Sequence, residues 1–75
     1  MNQMKIKLNA TEDVLEFVKV AERCDFDVDV CLDSAVVDAK SILGVLSLGL
    51  AKNLTVQYHG ENTSFTNAIR KFAVA

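Results

Sequence analysis

Apolar and polar residues alternate along several short stretches of this chain and recur at helical spacing along others. Met4, Ile6 and Leu8 alternate with Lys5, Lys7 and Asn9, the period-two signature of a strand with one wet face. Thr11 is then placed to cap a helix, with Glu12 and Asp13 where the positive end of the helix dipole favours acids. Val14, Phe17, Val18 and Ala21 fall at i, i+3, i+4 and i+7, which predicts an amphipathic helix over 12–23.

Phe26, Val28, Val30 and Leu32 alternate with Asp27, Asp29, Cys31 and Asp33 in a second strand. Asp33 and Ser34 turn the chain into a shorter third strand over 36–39, and the two strands form a hairpin. Ser41 caps a short helix that Gly49 ends as a left-handed residue. Leu54, Val56 and Tyr58 alternate with Thr55, Gln57 and His59 in a fourth strand that stops at Gly60. Asn62 or Thr63 caps a last helix with the stripe Phe65, Ala68, Ile69 and Phe72, and Arg70 and Lys71 lie near its negative end. The order β-α-β-β-α-β-α predicts an α+β fold, a two-layer open-faced sandwich with a four-stranded antiparallel sheet and all three helices on one face. Lys5, Lys7, Asp27, Asp29, Thr55 and Gln57 then share the outer sheet face, where their mixed signs read as a solvated surface.

A length of 75 residues is expected to make one domain over 1–75. Folding at that size buries only about 60% of the surface an unfolded chain exposes, so most large aliphatic residues are needed inside. Eight Lys and Arg against ten Asp and Glu give a net charge of −2 without any basic cluster, which argues against nucleic acid or anionic lipid as partner. No apolar run reaches the roughly 18 residues of a membrane span, and the first residues lack the layout of a signal peptide, so a cytoplasmic protein is expected. Cys24 and Cys31 are too far apart for a CxxC motif, and the one histidine supplies no second metal pair. No metal, no cofactor and no enzyme chemistry are expected.

One stretch does not fit a fully buried core. Ile42, Leu43, Val45, Leu46 and Leu48 spread over most of the circumference of a two-turn helix. One side packs on the sheet, and Leu43 and Leu46, three residues apart, form an apolar patch that Gly44 keeps low. Such a patch on a small protein is either a docking site or is covered more completely than its pattern indicates.

The residues "AKSILGVLSLGLAKN", 39 to 53, closely resemble the regulatory-serine helix of HPr, the phosphocarrier of the bacterial phosphoenolpyruvate-dependent sugar phosphotransferase system, in its Gram-positive form. "FVKVAE" at 17 to 22 is similar to that family's first helix, and the element order agrees. The resemblance implies that Ser41 is the serine phosphorylated by HPr kinase/phosphorylase in carbon catabolite regulation. It also implies a departure. The family's phospho-accepting histidine lies in a loop of the type Gly-Leu-His-x-Arg-Pro, whereas the matching region here is "LNATEDVLEF", with no Gly, His, Arg or Pro. Phosphoryl transfer to imidazole needs an accessible ring nitrogen with donors and positive charge around the phosphoryl oxygens. Glu12 and Asp13 reverse that charge.

The reading is therefore similar in kind to the catabolite-repression paralogues of HPr, in which the histidine is replaced and the serine kept. Ser41 is the expected switch, and Lys40, Ile42, Leu43 and Leu46 are the expected contact surface. The partner would be HPr kinase/phosphorylase, a transcription regulator or a phosphotransferase-system component. Without the resemblance Ser41 is simply a helix cap. His59, at the wet end of the fourth strand beside Gly60 and Glu61, is the alternative phospho-acceptor, and a homodimer through the Leu43/Leu46 patch is the structural alternative.

Overall fold

The computed structural model describes residues 2–74. Strands β1 (Asn2–Lys7), β2 (Val28–Leu32), β3 (Ala35–Asp38) and β4 (Asn53–Tyr58) alternate with helices α1 (Thr11–Glu22), α2 (Ile42–Ser47) and α3 (Thr63–Ile69), and a 3-10 turn (Arg70–Phe72) extends α3. The sheet is antiparallel throughout, in the order β1-β4-β2-β3. Ile6 pairs with Leu54, and Val56 pairs with both Met4 and Val30, so the apolar member of each alternating pair points to the helical side. Val14, Phe17, Val18 and Ala21 of α1, Val45 of α2, and Phe65 and Ile69 of α3 complete a single buried cluster with them. This is the expected α+β open-faced sandwich of β-α-β-β-α-β-α order. Among the described residues no charged side chain is buried.

Several boundaries differ from the sequence pattern, each for a local reason. Helix α1 starts at Thr11, one residue early, and Thr11 is not its cap. Ala10 has the extended cap backbone (φ −135°, ψ 161°), and the carboxylate Oδ2 of Asp13 reaches back to accept the N–H groups of Asn9 at 3.1 Å and Ala10 at 3.3 Å. A carboxylate one turn into the helix both occupies these donors and complements the dipole, which a threonine hydroxyl does less well. Strand β3 runs over 35–38 instead of 36–39. Phe26 lies outside β2 and stacks on Tyr58, with ring centroids 6.0 Å apart. Of the two candidate caps for α3, Asn62 acts: its Oδ1 accepts the Phe65 N–H at 3.0 Å.

Two backbone features hold the sheet ends. Asp33, in the turn between β2 and β3, has φ 53°, a conformation that aspartate tolerates better than most residues. Val74 donates its N–H to the Lys5 carbonyl at 2.9 Å, covering part of the β1 edge. Gly60 lies against the Phe26 ring so closely that a Cβ would fall inside it. Phe26 packs on both Tyr58 and Phe65 and cannot yield freely. Gly60→Ala is therefore expected to lower stability by about 1–3 kcal/mol, read from the urea midpoint; an unchanged midpoint would mean that the aromatic cluster is loosely packed.

Candidate functional site

Helix α2 is short because its sequence starts and stops it within two turns. Ser41 has the extended cap backbone (φ −104°, ψ 112°) and its Oγ accepts the Gly44 N–H at 3.1 Å. At the other end Gly49 adopts φ 93° and returns its N–H to the Leu46 carbonyl at 3.0 Å, the left-handed stop expected of a glycine. Ala51 also takes a positive φ of 60°, held by a 2.7 Å hydrogen bond from its N–H to the Leu8 carbonyl. That bond ties the segment after α2 to the connection before α1, so the two candidate regions of the sequence are neighbours in space.

Within α2 the apolar residues divide. Val45 is buried, and Leu46 and Leu48 pack half-buried against the core, with Val37 of β3 beneath Gly44. Leu43 is 81% exposed and Ile42 41%. The exposed apolar surface is thus centred on Leu43 and Ile42, with Leu46 contributing only its outer part. Leu50, beyond the helix, is 40% exposed and was not singled out by its sequence position. Its signal was there, since Leu43 and Leu50 are seven residues apart, but the break at Gly49 obscured it.

Lys40 precedes the cap and is anchored. Its Nζ donates to the Cys24 carbonyl at 3.0 Å, just past the end of α1, while its N–H donates to Asp38 Oδ1 at 2.9 Å. A cation there satisfies a carbonyl at the negative end of α1. Burial pushes the Cys24 thiol above its ordinary range, Asp25 adds to the rise and Lys40 opposes it. Ser41 itself is exposed.

At the start of α1 the geometry is different. The amide groups of Asn9 and Ala10 face the Asp13 carboxylate, and Glu12 beside it is exposed. A depression of about 280 Å³ adjoins this point, lined by Lys7, Asn9, Asp13, Lys71 and Phe72. The Lys71 ammonium is already paired with Glu16 at 2.7 Å. An anion approaching these amides would have to displace an attached carboxylate. His59 is exposed just after β4. Among the described residues no group of His, Cys, Asp or Glu is arranged to hold a metal, and no helix is long and apolar enough to cross a membrane.

A sequence profile of the family described as PTS HPr component phosphorylation site matches residues 14–74. The match begins inside α1, so the 8–13 connection lies outside it and Ser41 inside it. Among solved structures the chain is similar to the phosphocarrier protein HPr from Bacillus anthracis, at 25% identity over 96% of this chain and 92% of that one, with a TM-score of 0.69. The fold is shared with HPr-C-His from Thermoanaerobacter tengcongensis, at 23% identity over 95% and 89% of the two chains and a TM-score of 0.77. It is shared also with the histidine-containing phosphocarrier protein of Mycoplasma, at 14% identity over 92% and 84% and a TM-score of 0.69. Comparison with curated proteins finds no match.

The two thiols separate the faces of the sheet and give a direct check. Cys31 lines the outer face, whereas Cys24 is buried and its burial pushes the thiol above its ordinary range, so a thiol reagent is expected to modify Cys31 first and Cys24 only on unfolding. Equal rates for both would contradict this packing. Ser41→Ala removes the α2 cap and is expected to cost about 0.5–2 kcal/mol in denaturant unfolding.

Proposed function

The chain belongs to the HPr family of phosphotransferase-system components, and on that premise we propose that it is a cytoplasmic interaction module switched at Ser41 and not a histidine phosphocarrier. The observation that carries this reading is the start of α1, where Asp13 occupies amide donors next to the position at which the family's loop carries its histidine. A phosphoryl group there would meet Asp13 and Glu12 at short range and find neither an imidazole nor a free guanidinium. His59 does not replace it: it stands exposed after β4, outside that connection.

Ser41 offers what a regulatory phosphate needs. Its hydroxyl is exposed, and it sits where the first-turn N–H groups of a helix have no intrahelical partners. Phosphorylation would add about −1.5 to −2 charge beside Ile42 and Leu43. The phosphoryl oxygens would take over from Oγ as acceptors for the first-turn N–H groups, so the main change is one of surface charge. Lys40, anchored on Cys24, holds the approach to the cap. Leu43, Ile42 and the outer part of Leu46 form the contact surface for HPr kinase/phosphorylase and for a transcription regulator or phosphotransferase-system protein that reads the phosphate.

Incubation with ATP and a Gram-positive HPr kinase/phosphorylase is expected to add one phosphate to the intact mass, absent in Ser41→Ala. No added mass would remove the switch and leave α2 a constitutive docking surface. Leu43→Lys leaves the core untouched and is expected to raise the KM of this phosphorylation about tenfold or more, as loss of a central apolar contact does. An unchanged KM would place the kinase contact elsewhere.

A further inference from the structure

The outer sheet face carries a charge pattern that only the strand order creates. On β1 it presents Lys5 and Lys7; on β4 the uncharged Asn53, Thr55 and Gln57; on β2, β3 and their turn Asp29, Asp38 and Asp33. Lys5, Thr55, Cys31 and Val36 form one row across the four strands, and Gln3, Gln57, Asp29 and Asp38 the next. The positive and negative halves are thus separated by a neutral central strand. Among the described residues the one ion pair is Lys71 with Glu16, so the charges of this face have no salt-bridge partner among them. A shallow depression of about 510 Å³ runs over its middle, and Val36 at its β3 edge is 61% exposed.

We propose that this face docks on the same face of a second copy of this chain, forming a weak, salt-sensitive twofold dimer. A surface with one sign on each half is complementary to itself in one orientation. A twofold axis parallel to the strands, between β4 and β2, reverses the strand order of the facing sheet and lays β1 over β3 and β4 over β2. The lysine half of each copy then lies over the aspartate half of the other, with Gln3 over Asp38, Gln57 over Asp29 and the aliphatic stem of Lys5 over Val36, one row from Asp38. An axis perpendicular to the strands would lay lysine on lysine, so the pattern selects the first arrangement. Nucleic acid would require a uniformly cationic face and lipid an apolar or cationic one, and this face is neither. Sheets stacked this way lie about 10 Å apart. Four strands about 4.8 Å apart and about six residues long span roughly 400 Å² per copy, half of the about 800 Å² of a standard interface, so the dimer forms only at high concentration. Helix α2 stays outside the contact, and the inference stands whether or not Ser41 is a switch.

The test is sedimentation equilibrium of the unmodified chain up to about 1 mM at low salt and again at about 0.5 M salt, where the Debye length is only a few Å. A dimer that dissociates as salt rises is expected. Lys5→Glu with Lys7→Glu makes the face all negative, and separately Asp29→Lys with Asp38→Lys makes it predominantly positive, with Asp33 retained. Each variant alone is expected to weaken self-association about tenfold or more, and an equimolar mixture of the two to restore it. Asp29→Lys alone repeats the measurement without removing the Asp38 contact to Lys40. A monomer under all conditions would overturn the proposal, as would a mixture that associates no better than its components, or a dimer indifferent to these changes and lost instead on Leu43→Lys.

Discussion

A four-stranded sheet with helices on one side has a single apolar layer to fill, and that layer is complete without the outer half of α2. Strand residues Ile6, Val30, Leu54 and Val56 and helix residues Val14, Phe17, Val18, Phe65 and Ile69 close it with almost no exposure. Helix α2 adds Val45 fully and Leu46 and Leu48 in part. A two-turn helix with apolar residues on every side cannot bury them all against one layer, so Ile42 and Leu43 are left in water. Both hydrophobic stripes and caps would have permitted a polar residue at 43. The leucine there is what the core does not account for.

The same constraint gives the start of α1 its meaning. The connection from β1 is short, and the Ala51 N–H on the Leu8 carbonyl fixes it beside α2. Within that short path the backbone amides must find acceptors, and Asp13 supplies one from inside the helix. A carboxylate that satisfies the amides also repels anions from them. One carboxylate thus both stabilises the helix start and keeps anions from its amides, while α2 beside it keeps its own cap and stop.

Much of the fold was legible because each element's period is strong: strand alternation and the i, i+3, i+4 stripes of α1 and α3 survive intact, and Gly49 stops α2 as its type dictates. What was missed depends on contacts distant in sequence or on competition between neighbouring side chains. Thr11 and Asp13 both suit a helix start, and only the geometry shows the carboxylate winning. Asn62 and Thr63 posed the same ambiguity. The pairing of β1 with β4 spans some fifty residues, and it separates lysines from aspartates on a face whose sequence shows only mixed signs. Lys40 could not be seen to reach Cys24, since nothing local in the sequence brings the end of α1 to the cap of α2. Ser41 and the oily stretch after it were visible from the motif, whereas the division of that stretch into Leu43 outside and Val45 inside required the packed sheet.

The central claim is that the α1 start has lost its role in phosphoryl transfer while the fold remains. It is tested most directly by supplying phosphoenolpyruvate and Enzyme I to the purified chain and following phosphorus by NMR. The account predicts no protein-bound, acid-labile phosphate under conditions that label a histidine-containing HPr completely. Stoichiometric phosphohistidine on His59 would contradict it and make the chain a carrier with a relocated acceptor.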